Sequence, residues 1–202
     1  MFALDIETIP NLDMVKFLPE VKAKSTLKDP EKIKKDIAEK KAKQLESMGL
    51  NPMFCKIACI GYHGDKISRV DIGEEKEILK KCFEHLKNSF DAVVTYNGNS
   101  FDFDVIFKRG LYYDLCTLKE LKLWTDKFKA VRHIDLMAEF CQFGKFEKLD
   151  TLAKVYLGEQ KDDIDFKEIP ELLKTKEGQD KLSKYCIQDC KSTYDLAKKF
   201  GY

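Results

Sequence analysis

The chain has almost no net charge and few of the residues that announce a function by themselves. Its 36 basic residues face 35 acidic ones, for a formal +1 at pH 7. No long-range field draws it to a polyanion, so any hold on nucleic acid must come from local charge and bound cations. Only three of the basic residues are arginine (Arg69, Arg109, Arg132), and histidine occurs three times, at His63, His85 and His133. No apolar run is long enough to span a membrane and no signal peptide opens the chain, so a soluble, cytoplasmic protein without membrane contact is expected. None of the seven cysteines forms a zinc-type Cys-x-x-Cys pair. An odd number of cysteines without an export signal points to reduced, packed thiols, with Cys55 and Cys59 on a strand and Cys186 and Cys190 as helix neighbours. Repeats, low-complexity tracts and breaks in composition are also missing. At 44% hydrophobic, residues 1–202 are expected to form one α/β unit with a sizeable core.

What the chain does have is a set of acidic residues in three short islands. The first is Asp5-Ile6-Glu7-Thr8, inside a stretch where Phe2, Leu4 and Ile6 alternate with Ala3, Asp5 and Glu7. That is the period of a strand, and it puts Asp5 and Glu7 on one face. The second runs from Tyr96 through Asn97, Gly98, Asn99, Ser100 and Phe101 to Asp102. It follows a short β-rich run, and an Asn-Gly turn leads from it into the apolar pattern Phe101, Val105, Ile106, Phe107. Asp102 is therefore expected at a strand-to-helix junction, where α/β proteins build sites. The third is Tyr185-Cys186-Ile187-Gln188-Asp189, within a stretch from about 178 to 199 where Leu182, Cys186, Cys190, Thr193 and Ala197 recur at helical spacing. Tyr185 and Asp189 should stack one turn apart.

Carboxylates packed together repel, and each raises the pKa of the others unless a cation neutralises the group. An all-oxygen ligand set suits Mg²⁺ or Mn²⁺ rather than zinc. Two such ions, roughly 3.5 to 4 Å apart, can clamp the attacking and leaving oxygens of an in-line phosphoryl displacement. The chemistry expected is phosphodiester hydrolysis. Asp5 and Glu7 alone would read as a solvated strand face, and Tyr185 alone as a packed aromatic. Their joint occurrence carries the argument.

The order Asp-x-Glu-Thr, Asn-x-x-x-Phe-Asp and Tyr-x-x-x-Asp resembles the three motifs of the DEDDy 3′→5′ exonucleases. It is closest to stand-alone proteins similar to the proofreading domain of family B DNA polymerases. The segments Arg132-His133-Ile134-Asp135-Leu136-Met137 and Lys148-Leu149-Asp150-Thr151-Leu152-Ala153 share the likeness. The resemblance implies a ribonuclease H-like fold: a central mixed sheet, antiparallel in its early strands, flanked by helices. It implies that Asp5, Glu7, Asp102 and Asp189 hold two Mg²⁺ or Mn²⁺ ions and that Tyr185 orients the attacking water. Thr8 would lie near the 3′-terminal nucleotide, and Asn97 and Phe101 would line the channel for the last bases, although Phe101 fits an apolar helix stripe equally well. The related DEDDh subfamily would carry a histidine where this chain has Lys184. The implied substrate is a single-stranded or frayed DNA 3′ end, with no small-molecule cofactor, and a monomer is expected. An RNA-trimming enzyme of the ribonuclease D type shares the motifs, and a catalytically idle nucleic-acid-binding module is the more distant alternative. Because no polymerase segment follows, proofreading in cis is not expected, while proofreading in trans, repair and nucleotide scavenging stay open.

The remaining elements fit around these motifs. Residues 22–43 hold nine lysines against Asp29, Glu31, Asp36 and Glu39, and 22–50 reads as a lysine-rich helical insertion. Asp29 should cap this helix, Pro30 should open it and Gly49 should close it, with Glu31–Lys35, Asp36–Lys40 and Glu39–Lys43 pairs. It is either a solvated helix or an arm that guides the strand. Strands are expected at 54–62 and 66–71 around a hairpin turn, at a run ending at Tyr96, and at 130–134. A helix at 74–88 should bury Ile78, Leu79, Cys82, Phe83 and Leu86. Residues 162–176 are expected to be a loop. Asp104 reads as a helix-surface residue, and Asp135 as a helix cap or a group that supports a ligand.

Overall fold

The computed structural model describes residues 1–125, 132–141, 145–160 and 164–202. Its centre is strand β1 (Phe2–Pro10), whose alternation sends Phe2, Leu4 and Ile6 into a large apolar cluster. Ala3, on the opposite side, packs instead with Cys190 and Tyr194. A lysine-rich helix, α1 (Pro30–Met48), follows, with Asp29 accepting from the Glu31 and Lys32 amides as its N-cap and Gly49 at its end. Strands β2 (Cys55–Gly64) and β3 (Ile67–Ile72) form the expected hairpin around Asp65 and Lys66. Helix α2 (Glu75–Asn88) buries the five residues foreseen for it, together with Glu75.

Strand β4 (Val93–Thr95) then leads into α3 (Asp102–Tyr112) and α4 (Leu118–Thr125). Strand β5 (His133–Asp135) runs directly into α5 (Leu136–Phe140). Helix α6 (Leu149–Leu152) continues as a π-turn over Ala153–Leu157, and α7 (Ile169–Leu172) precedes the long final helix α8 (Lys176–Lys199). The sheet order is β3-β2-β1-β4-β5, with β1 antiparallel to β2 and parallel to β4, and β4 parallel to β5. Antiparallel early strands followed by parallel crossover units are the mixed sheet the sequence led us to expect. Helices α2 and α3 cover one face with the large cluster, and α8 covers the other.

Two features bring α8 close to the sheet. The first is Gly61, the cross-strand partner of Asp5. A Cβ at Gly61 would lie 2.6 Å from Cys186 Sγ and 2.9 Å from Cys190 Sγ, so only glycine admits the helix at this distance. The second is a bulge in which the β1–β2 register shifts between Glu7 and Thr8, pairing them with Cys59 and Ile57. The extra residue, Ala58, lets Ala58 and Cys59 both face α8 while Ile57 and Ile60 face the other cluster. Cys55 and Cys59 are therefore both buried, as expected, but on opposite faces, a separation that spacing alone does not reveal.

Three expectations need correction. Residues 162 and 163 lie outside the described part, and much of the rest of the expected loop is ordered into short helical turns. Phe166–Glu168 forms a 3-10 turn, followed by α7, because Ile164 and Ile169 are buried against the α8 side of the sheet. Strand β5 begins at His133, with a bend at Arg132 where strand was expected, and residues 130 and 131 lie outside the described part. In α1, Asp36–Lys40 pairs at 2.8 Å as expected, whereas Glu39 reaches Lys35 at 4.0 Å. Lys40 also donates to the Lys22 carbonyl, and Asp36 accepts from the Lys24 amide, so this part of α1 ties down the chain that precedes it.

Candidate active site

The first acidic pair sits in the middle of β1, the last acid on the face of α8 that turns to meet it. Donor oxygens of Asp5, Glu7 and Asp189 all lie within 4.8 Å of one another. Asp5 and Glu7 keep part of their surface in solvent, and Asp189 is buried. Cys186, three residues before Asp189, backs the pair, its Sγ 3.9 Å from Asp5 Oδ2. Tyr185 lies one turn before Asp189 on α8, partly buried against the cluster formed by Ala58, Cys59, Ile164 and Ile169.

Asp102 reaches the group from the other side. Strand β4 pairs with β1 at Phe2 and Ala3, and among the described residues the edge of β1 beyond them has no neighbouring strand. There the Ile6 amide donates to Asp102 Oδ1 at 3.1 Å. Asp102 is the first residue of α3 and is buried. It stands at the strand-to-helix junction that the sequence implied.

The electrostatics favour a cation. Burial, and then its neighbours Cys186, Asp102, Asp189 and Glu7, hold the Asp5 carboxyl well above the usual carboxylate range. Burial pushes Asp102 up to about 8, outweighing the backbone amides that favour its charged form. Such a cluster holds more negative charge than its surroundings tolerate, and an ion relieves that excess. The donors are all oxygen, which fits Mg²⁺ or Mn²⁺.

The expected substrate residues take distinct positions. Thr8 is buried, and its hydroxyl donates to the carbonyl of Gly49, which fastens β1 to the end of α1. That bond commits the hydroxyl hydrogen and leaves an oxygen lone pair for any other partner. Asn97 adopts a left-handed backbone, φ 68°, a conformation asparagine tolerates better than most residues. Phe101 is half-buried and packs against the large cluster under α3, so packing accounts for at least part of its side chain. Asp104 is half-buried on α3 and pairs with Lys108 at 2.7 Å.

Two residues matter more here than their sequence context suggests. Gly61 sets the distance between Asp5 and α8, and its signal was a glycine inside a strand pattern. Asp135 does cap α5, but it also receives two amides from the 97–101 loop.

With fold and geometry in place, comparisons with known proteins converge. Residues 53–201 match the family described as "Predicted 3'-5' exonuclease related to the exonuclease domain of PolB", and the chain belongs to that family. The matched span contains Asp102, Tyr185 and Asp189, while Asp5 and Glu7 precede it. Relatives include the DNA polymerases of Thermococcus gorgonarius, 27% identical over 143 residues, and Thermococcus litoralis, 28% identical over 145. Each match covers 64% of this chain but only 18% and 8% of those relatives, so the chain spans under a fifth of their length. Among solved structures, the family B DNA polymerase of the archaeon Pyrobaculum calidifontis superposes with a TM-score of 0.63 at 17% identity. That superposition covers 98% of this chain and 24% of the polymerase and shows a shared, ribonuclease H-like fold.

Proposed function

We propose that this protein is a metal-dependent 3′→5′ exonuclease that removes 5′-mononucleotides from single-stranded or frayed DNA ends. The observation that carries this reading is the meeting of Asp5, Glu7 and Asp189 within 4.8 Å, beside Asp102, in a chain of this family. Asp5, Glu7 and Asp189 would hold one Mg²⁺ or Mn²⁺, and Asp5 with Asp102 a second. Bound there, the ions supply a hydroxide nucleophile and neutralise charge on the leaving 3′ oxygen.

The protein's own groups do the rest. The Tyr185 hydroxyl, one turn before Asp189, orients the water that attacks the terminal phosphodiester. Thr8 and Asn97, at the open edge of β1 and in the loop before α3, hold the terminal nucleotide. Phe101 combines packing with a stacking face for the base beside it. With a net charge of only +1, binding to the strand is local to this crevice rather than steered from a distance. Residues 1–202 act as one cytoplasmic, monomeric unit in which 22–50 is an insertion.

The test is a time course on a single-stranded DNA carrying a 5′ label, with Mg²⁺, with Mn²⁺ and with chelator, and a matched RNA alongside. The expected result is a ladder that shortens one nucleotide at a time only with metal, faster on DNA. Faster trimming of RNA would move the protein to the ribonuclease D type. No trimming of either strand would remove the enzymatic reading.

A further inference from the structure

We propose that Asp135 is a positioning residue: its carboxylate holds the 97–101 loop in the conformation that delivers Asp102 to β1. The proposal rests on the exonuclease reading for its functional consequence, but its structural basis is independent of that reading.

Asp135 is buried at the end of β5. Its Oδ1 accepts from the Met137 amide at 3.1 Å and the Ala138 amide at 3.3 Å, which is what an N-cap of α5 requires. A cap needs nothing more. Yet Oδ1 also accepts from the Asn97 amide at 2.9 Å, and Oδ2 from the Asn99 amide at 2.9 Å. Those two amides come from a loop 38 and 36 residues earlier in the chain. Oδ1 thus already bridges α5 and the loop, and only a carboxylate, with a second oxygen that also accepts, can take the Asn99 amide as well.

The amide between them is held as well. Gly98 N donates to Thr95 Oγ1 at 3.1 Å, and the same oxygen lies 2.8 Å from His133 Nε2. His133 Nδ1 faces the Trp124 carbonyl at 3.0 Å and must carry the hydrogen, and burial lowers the ring's pKa, which favours its neutral form. Nε2 is then an acceptor, so the Thr95 hydroxyl donates to it and accepts from Gly98. Three consecutive loop amides thus end on side chains from the ends of β4 and β5. The turn closes with the Ser100 and Phe101 amides on the Asn97 carbonyl, at 3.1 and 3.0 Å, and the Phe103 amide on Gly98 at 2.9 Å. Asp102 emerges aimed at the Ile6 amide. Releasing Asp135 frees two of the three anchors and lets the loop around Asn97 leave its present conformation.

Asp135→Ser isolates the part of the anchoring that a cap does not need, because serine still caps α5 but has no second oxygen for the Asn99 amide. Thr95→Val is a second variant, removing the Gly98 anchor without touching α5. Three readouts apply to the full chain: amide hydrogen exchange at Asn97 and Asn99, Mn²⁺ affinity by calorimetry, and kcat and KM on a labelled oligonucleotide. For Asp135→Ser we expect at least about tenfold faster exchange at the Asn99 amide, which loses its acceptor, and a smaller rise at Asn97. We also expect a 10- to 100-fold fall in kcat that exceeds any rise in KM. Thr95→Val should move the same way by less. Unchanged exchange in Asp135→Ser would reduce Asp135 to a helix cap and overturn the proposal, as would faster exchange with unchanged kcat. If the wild type trims no strand, the exonuclease reading fails on its own, and Mn²⁺ affinity decides the positioning role: weaker binding supports it, and unchanged binding overturns it.

Discussion

The two faces of strand β1 are built from the same backbone and do opposite things. One face sends Phe2, Leu4 and Ile6 into a cluster closed by α2 and α3. The buried carboxylate near it, Glu75, is neutralised from within the chain: Arg109 donates to it through Nε at 2.9 Å and Nη2 at 2.7 Å, and the Ile57 amide at 2.8 Å. The other face carries Ala3, Asp5 and Glu7 under α8, where burial and then the neighbouring groups raise the pKa of Asp5. The first arrangement stabilises the fold, and the second stores an unfavourable charge that a cation would relieve. Strand alternation lets one segment meet both demands, because successive side chains from Phe2 to Glu7 point to opposite faces.

The sharpest break between the faces comes from substitutions that should affect one and spare the other. Asp102→Ala should lower kcat by at least about 10²- to 10³-fold, while circular dichroism and thermal melting show a folded chain. On the apolar face, Leu4→Ala should cost about 2 to 5 kcal/mol of stability, measured by urea unfolding. Its kcat per folded molecule should stay at the wild-type value.

Gly61→Ala probes the contact between the faces. Its added methyl meets Cys186 Sγ at 2.6 Å, so it should cost about 1 to 3 kcal/mol and also slow trimming by displacing α8. Combining it with Cys186→Ala should recover part of both losses, a coupling that a double-mutant cycle measures.

A last difference between the faces is in pH dependence. Asp102, pushed up to about 8, holds its proton in the folded chain over a range where the unfolded chain has lost it. The folded state binds more protons there, so its stability falls as pH rises towards 8. The metal-free melting temperature should therefore decline from pH 5 to pH 9. Mn²⁺ should raise it more at pH 8 than at pH 5, and Asp102→Asn should flatten the decline.

Much of this was legible in the sequence because it rests on short-range pattern. Alternation around Asp5 and Glu7 placed them on one strand face, the four-residue step from Tyr185 to Asp189 placed them on one helix face, and the Asp29-Pro30 start of α1 was readable from capping chemistry. What was not legible depends on partners distant in sequence. The bulge opposite Glu7 and Thr8 exists only once β2 pairs with β1, and it is what parts Cys55 from Cys59. The turns at 166–172 form because Ile164 and Ile169 have a surface to bury against, which their local sequence does not announce. Asp135 read as a cap or a group supporting a ligand; the amides it caps are visible in the local sequence, whereas those of Asn97 and Asn99 are not.

The claim that the α8-facing side of β1 is a catalytic centre is tested most directly by Asp189→Ala. Its rate of trimming a 5′-labelled single-stranded DNA with Mn²⁺ should be compared with that of the wild type, at matched folded fraction. We predict a 3′-to-5′ ladder from the wild type and a rate lower by at least about 10²- to 10³-fold in the variant. Equal rates from the two proteins would contradict the account.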